Sequence, residues 1–173
     1  IEEWPTPTQK NILGGVTFDP ESIRSKLNNF LSRAYRRPVT AKQVDAIHQV
    51  YLNRIHKGID PWQAFKDSLK AALCSPYFMY LLEHPNSKTN KIDQYATASR
   101  LSYFLWSSMP DRELFALSRK GQLSNPSILK AQIERMLLDP KSNRFVDGFL
   151  DAWLTLDHLG TTPPDHQRFK EYY

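Results

Sequence analysis

Residues 98–114 join two apolar stretches through a sharp corner. The run ASRLSYFLW is apolar and rich in aromatic residues, and Ser107-Ser-Met-Pro-Asp111 follows it directly. Apolar positions three or four apart predict a helix, and a proline ends one. A second apolar-periodic stretch begins at Leu114. This segment therefore predicts two helices joined by a tight corner, which is typical of a densely packed helical domain.

Proline and glycine divide the rest of the chain in the same way. Helix starts are predicted at Asp19, Thr40 and Asp60, because each can cap a helix N-terminus. Ser108-x-x-Asp111 has the spacing of a capping box that opens a further short helix. Gly58 and Gly121 mark helix ends. No strand-like alternation persists, so we predict an all-α fold: a compact bundle of about seven or eight helices with no significant sheet.

The polar run HPNSKTN at 84–90 is the best internal boundary. We expect residues 1–19 to be a linker or the tail of a preceding domain. Residues 20–83 would form a first helical subdomain, and residues 91–173 a second one that is truncated at its C-terminus. The run between them is short, which favours packing of the two as one body. The whole chain looks like a piece of a longer protein.

The chain carries a formal charge of +5 and has a pI of about 9.3. A basic balance raises the possibility of an acidic partner such as nucleic acid. The basic residues are scattered, however, and acidic neighbours lie one turn away from most of them. Nucleic-acid binding is therefore disfavoured. No apolar run approaches the roughly 20 residues that span a bilayer, so no membrane span is expected.

Familiar reaction centres are missing from the sequence. The single cysteine, Cys74, excludes an internal disulfide and the Cys-x-x-Cys-His attachment of a c-type haem within these residues. The five histidines form no His-x-x-x-His pair, and there is no Gly-x-Ser-x-Gly elbow and no phosphate-binding loop. We therefore predict no catalytic residue, no metal site and no cofactor in this stretch.

Five charged residues are candidates for docking or for buried ion pairs. Arg36 and Arg37 end the first helix, where cations can hydrogen-bond free carbonyls or contact a partner. Arg100 lies within an otherwise apolar helix, and burial would require a carboxylate partner. Asp111 and Asp147 are the candidate partners.

The aromatic residues fall within apolar periodic stretches. Core packing therefore explains them better than a nucleic-acid platform does, although a subset could line a pocket in the longer protein. The residues concerned are Tyr77, Phe78, Tyr80, Tyr103, Phe104, Trp106, Phe149 and Trp153.

Several separated motifs resemble two domains of unknown function. FLSRAYRRPVT at 30–40 and SLKAALCSPYF at 68–78 resemble the first. Residues 98–111, ERML at 134–137 and the Phe-x-x-x-Trp-Leu pattern at 149–154 resemble the second. In planctomycete-type cytochrome-c-associated proteins these two domains occur in tandem.

This resemblance implies a large exported protein, periplasmic or otherwise extracytoplasmic, with a haem c domain elsewhere in the polypeptide. The preferred interpretation is a non-catalytic helical structural or interaction module, whose partners are other domains of the same polypeptide. One alternative is half of an oxidative or hydrolytic enzyme site, acting on polysaccharide for example, that missing domains complete. The other is a basic nucleic-acid-binding domain. The family offers no established catalytic residues.

Overall fold

The computed structural model of the chain describes residues 19–83, 91–155 and 165–172. Within these ranges the fold is all-α, as predicted, and no strand forms. Four short 3-10 turns, at 20–22, 122–124, 140–142 and 170–172, accompany the α-helices. The α-helices are α1 Ile23–Ala34, α2 Ala41–His56, α3 Pro61–Leu73, α4 Pro76–Met79, α5 Gln94–Trp106, α6 Arg112–Arg119, α7 Pro126–Leu138 and α8 Asn143–Leu154.

The chain divides into two compact units, Ile1–Ala96 and Thr97–Tyr173. The predicted linker at 1–19 lies outside the described residues except for Asp19, as does the polar run at 84–90. The prediction that the two helical regions pack as one body stays a prediction.

In the first unit, α1, α2 and α3 pack around one apolar cluster. The helical spacing of Ile23, Leu27 and Leu31 predicts an inward-facing stripe on α1, and these three side chains are fully buried at the centre of the cluster.

Of the three predicted helix starts, those at Thr40 and Asp60 are confirmed: Thr40 forms a complete capping box with Gln43, and the Asp60 carboxylate accepts from the Gln63 backbone amide. Asp19 instead precedes the 3-10 turn at 20–22, where its carboxylate accepts from the Glu21 amide, and α1 begins after Ser22. The side chains of Thr40 and Asp60 therefore cap helices as the local sequence predicts.

The second unit is built around Trp106, which ends α5 and is almost fully buried. Its indole N–H donates to the Met136 carbonyl of α7 at 2.9 Å. The apolar side chains packed around it come from α5, α6, α7, α8 and the turn at 122–124. They are Ala98, Leu101, Leu105, Leu114, Leu117, Leu123, Ile133, Met136 and Phe145.

Two local predictions were wrong. The capping box at Ser108 does not form; Asp111 is itself the N-cap of α6, because its carboxylate accepts from the Leu114 amide at 2.9 Å. The Ser108 carbonyl instead accepts from the Ser102 hydroxyl. The helical spacing of Ile128, Leu129, Ile133, Met136 and Leu137 predicts an inward-facing stripe on α7, yet Leu137 is about half exposed while Met136 is buried. A helix that meets its neighbours along a narrow contact buries only part of a broad stripe.

Candidate functional site

Arg36 is a buried cation that backbone carbonyls satisfy. Its side chain is only 5% exposed, and its backbone has a positive φ of 59°. The guanidinium donates to the carbonyls of Tyr77, Phe78 and Tyr80 at 2.7–3.1 Å, and to that of Ala34 at 3.3 Å. The sequence predicted that Arg36 would meet free carbonyls at a helix end. Only the Ala34 carbonyl belongs to α1. Those of Tyr77 and Phe78 belong to α4 and that of Tyr80 directly follows it, about forty residues further along the chain.

Arg37 also holds the segment that follows α4. Its guanidinium forms a 3.0 Å ion pair with Asp93 and donates to the Leu82 carbonyl at 3.2 Å. Both side chains remain partly exposed, so solvent weakens the pair. The two candidate arginines thus act side by side within the first unit, each fixing backbone beyond α3.

Arg100 and Asp147 lie at exposed positions on α5 and α8. The expectation of a buried ion pair depended on burial of Arg100, and that burial is absent. Both residues belong to the second unit.

Asp111 belongs to a polar network beside Trp106. Its carboxylate, which caps α6 through one oxygen, accepts from Arg135 through the other at 2.8 Å. Arg135 also pairs with Glu113 at 3.5 Å and donates to Gln132. Arg135 therefore links α7 to the start of α6. Sequence reasoning missed it, because its partner Asp111 lies 24 residues earlier in the chain and only the fold brings the two together.

Two cations approach the Trp106 ring. The centre of the Arg135 guanidinium lies 5.5 Å from a ring centroid, and the Lys141 ammonium lies at 4.6 Å. A cation over an indole face is attracted by the ring quadrupole. One nitrogen of Arg135, Nη2, is buried with no hydrogen-bond partner among the described residues, and the ring contact partly compensates for this. The polar network around Arg135 therefore supports the apolar cluster of the second unit.

The exposed apolar surface of α8 is the feature that the core-packing prediction did not anticipate. Phe104 of α5 begins a row of rings that continues along α8 through Phe145, Phe149 and Trp153. Successive ring centroids lie 4.8, 5.5 and 5.7 Å apart. Phe104 and Trp153 are 61% and 68% exposed, and α8 has no buried residue. We call these four side chains the aromatic row.

The prediction that the aromatic residues form the core was therefore wrong for most of them. Trp106 is buried, and Phe78 and Tyr103 are half-buried. Tyr77, Tyr80, Phe104, Phe149 and Trp153 are exposed. Helical periodicity identifies the apolar face of a helix correctly, but it does not tell whether the same chain covers that face.

Val146 and Leu154 widen the apolar face of α8, and both are about half exposed. At 100° per residue, Asp147 and Asp151 lie on the side of the helix next to Leu150 and Leu154. Neither carboxylate is engaged by another side chain in the described ranges. Residues two apart on a helix are separated by about 200°, so both carboxylates lie on the face of α8 opposite Phe149.

Anchoring of α8 is provided by Arg144, whose guanidinium donates to the Trp106 carbonyl at the end of α5. A cation at a helix C-terminus complements the negative end of the helix dipole. Phe145 packs on the second core. The N-terminal turn of α8 is thereby fixed to the unit, and its remaining turns present the aromatic row.

The two described residues whose pKa is clearly shifted, Asp19 and Tyr51, lie in the first unit and not beside Trp106 or the aromatic row. Hydrogen bonds with the Ser22 side chain and the Glu21 amide lower the pKa of Asp19. Burial, followed by the nearby Asp60 charge, raises the pKa of Tyr51. Within the described residues, no group of three or more histidine, cysteine, aspartate or glutamate side chains could hold a metal ion. No helix among the described residues is long and apolar enough to cross a bilayer.

The fold thus defines a tandem of two helical units, each with its own buried cluster, and an exposed apolar surface on the second. Residues 22–83 match the family described as Protein of unknown function (DUF1595), and residues 92–173 match the family described as Protein of unknown function (DUF1592). No curated protein and no solved structure shows significant similarity to the chain. The expectation of two successive domains of unknown function is confirmed.

Proposed function

We propose that this chain is a non-catalytic interaction module that binds a protein surface through the aromatic row. The single observation that carries the proposal is an amphipathic helix, α8, whose apolar face is in solvent. Covering one half-exposed ring removes roughly 100 Å² from water, which stabilises by about 2–3 kcal/mol. Covering three such rings contributes enough favourable free energy to offset part of the entropy lost on association.

The chemistry around the row favours protein over other partners. Helices that lie on anionic membranes carry lysine and arginine on their polar face, whereas α8 carries Asp147 and Asp151. The same carboxylates oppose a nucleic-acid backbone. Rings tilted by 29° and 34° at 5.5–5.7 Å pack on one another, so they expose ridged edges that suit interdigitating side chains.

The finer part of the proposal comes from the resemblance noted in the sequence. We propose that the module belongs to an exported protein that carries a haem c domain, and that another domain of that polypeptide covers the row. The complete reading frame tests this: a secretory leader and a Cys-x-x-Cys-His motif are expected. A complete frame that lacks both would contradict the proposal.

Site-directed labelling tests whether the row is an interface. In a Cys74→Ser background, Val146→Cys places a thiol on the apolar face and leaves the rings in place. Gly148→Cys is the matched control, because a Cβ there meets nothing within 4 Å. Both thiols should react with a maleimide at similar rates in the 173-residue chain.

In the complete polypeptide, labelling at 146 should slow by about tenfold or more relative to labelling at 148, as burial blocks the reagent. Equal rates at the two positions in the complete polypeptide would contradict the proposal. Positions 146 and 148 lie on the same helix, so the ratio of their labelling rates also corrects for any change in overall folding.

A further inference from the structure

We propose that the domain which covers the aromatic row holds α8 in an apolar groove with two walls. One wall contacts the rings, and the other contacts Leu150 and Leu154. The side of the helix that carries Asp151 stays open to solvent. The inference rests on the proposed function, because it names the kind of surface that the same helix fits.

The apolar face of α8 is wider than one flat surface covers. At 100° per residue, it runs from Phe145 through Phe149 to Leu154, an arc of about 180°. Val146 and Leu150 lie within this arc. A surface helix typically buries an apolar stripe of roughly 100° against its neighbour. A flat partner centred on Phe149 would therefore leave Leu154, which is 51% exposed, in water.

The exposed area of the helix also favours two walls. The rings of Phe104, Phe149 and Trp153 offer roughly 300–400 Å² of exposed surface. Each side of a specific interface buries at least about 500 Å². The half-exposed aliphatic side chains of α8 add roughly 150 Å², which only a second wall would cover. Apolar faces of helices commonly bind in grooves of this kind.

The remaining residues of α8 indicate which side stays open. Asp147 and Asp151 stand two residues from Phe149, so they face away from the rings. Enclosing a carboxylate without a partner is costly, and a wall over that side is therefore disfavoured. Gly148 and Ala152, on the other flank of the rings, have little side chain to bury. The second wall thus fits the leucine side of the helix.

Two lysine substitutions on α8 test the groove. Leu154 and Asp151 lie about 60° apart around the helix, one on its apolar side and one on its open side. Each is replaced by lysine in the complete polypeptide that carries Cys74→Ser and Val146→Cys, and maleimide labelling at position 146 is measured. Leu154→Lys should speed labelling about tenfold or more, because the second wall would have to bury an unpaired ammonium group. Asp151→Lys should leave the rate almost unchanged, because solvent surrounds that position.

The 173-residue chain supplies the folding control. Both positions are exposed, so neither lysine should alter its circular dichroism or its urea midpoint. Faster labelling of the Leu154→Lys variant in the complete polypeptide then reports release of α8 from the groove and not unfolding of the module.

Several results would overturn the inference. If neither lysine changes a slow rate at 146, a flat surface covers the rings alone, and if both speed it, the partner encloses the whole helix. These two outcomes reject the groove and retain the proposed interface, whereas equal rates at 146 and 148 before either lysine is introduced reject both. Protection at 146 that rises with the concentration of the 173-residue chain would identify a second copy as the occupant and overturn the groove as well.

Discussion

At the residue scale, Arg36 shows how backbone carbonyls help to stabilise a buried cation. Four backbone carbonyls accept from its guanidinium. Hydrogen bonds to charged donors are stronger than neutral ones, and the carbonyls at the end of α4 would otherwise lack helical donors. Arg36 therefore fixes α4 onto the first unit.

Replacing Arg36 by alanine should lower the free energy of unfolding by about 2–3 kcal/mol, because several partly buried carbonyls lose their donor. Arg36→Gly should be milder by about 1 kcal/mol, since glycine adopts the positive φ of 59° without strain. Urea denaturation followed by circular dichroism measures both. Arg37→Ala is the control and should cost less than about 1 kcal/mol. Equal losses for Arg36→Ala and Arg37→Ala would contradict the role given to Arg36.

Trp106 is the corresponding residue of the second unit. Trp106→Phe removes the donor to the Met136 carbonyl and leaves a small cavity, so a loss of about 2–3 kcal/mol is expected. Trp153→Phe makes the same chemical change at a side chain that is 68% exposed, and should alter stability by about 0.5 kcal/mol or less. Chemical denaturation compares the two variants. A larger effect at Trp153 would mean that the aromatic row is already covered.

At the element scale, the Asp111 carboxylate has two roles at the start of α6. Asp111 caps the helix and also pairs with Arg135. Asparagine caps helices as well as aspartate but carries no charge. The two substitutions Asp111→Asn and Asp111→Ala therefore separate the two contributions.

Asp111→Asn should cost about 0.5–1 kcal/mol through loss of the ion pair. Asp111→Ala should cost about 1 kcal/mol more, because the Leu114 amide loses its acceptor as well. Thermal and urea unfolding measure the difference. Equal stability of the two variants would mean that the cap contributes little.

The sequence predicts an interaction well when its two partners lie close together along the chain, and poorly when they lie far apart. Caps at Thr40 and Asp60 involve atoms three residues apart, so local sequence contains all the information needed. Three of the four carbonyl partners of Arg36 lie more than forty residues away, and only the packed fold brings them together. The stripe on α8 was identified correctly as apolar. Its exposure could not be predicted, because periodicity describes a face and not what covers it.

At the scale of the whole molecule, the basic balance is distributed over the surface. Several arginines and lysines are paired with carboxylates in both units, such as Arg24 with Asp45, Arg54 with Asp67, and Lys130 with Glu134. These exposed pairs contribute little to stability, yet they reduce the local positive potential. The net charge is therefore a weak guide to the partner.

We expect duplex DNA to bind more weakly than about 10⁻⁴ M, because several of the cations in the part of the chain that the structure describes are paired with carboxylates. Anisotropy of a labelled duplex over a salt series measures this. Tight binding that falls steeply with salt would restore the nucleic-acid interpretation. The double substitution of Asp147 and Asp151 by asparagine controls for their repulsion.

The bonds of Arg36 reach carbonyls 41 to 44 positions later in the chain. A loop of this length has to close before any of them can form, and closure is entropically costly. The three long helices of the first unit need no such bond for their own pairing, so we expect α4 to dock after they have assembled. Contacts made after the rate-limiting step govern how quickly a protein opens. Loss of Arg36 will therefore speed unfolding and leave the refolding rate almost unchanged.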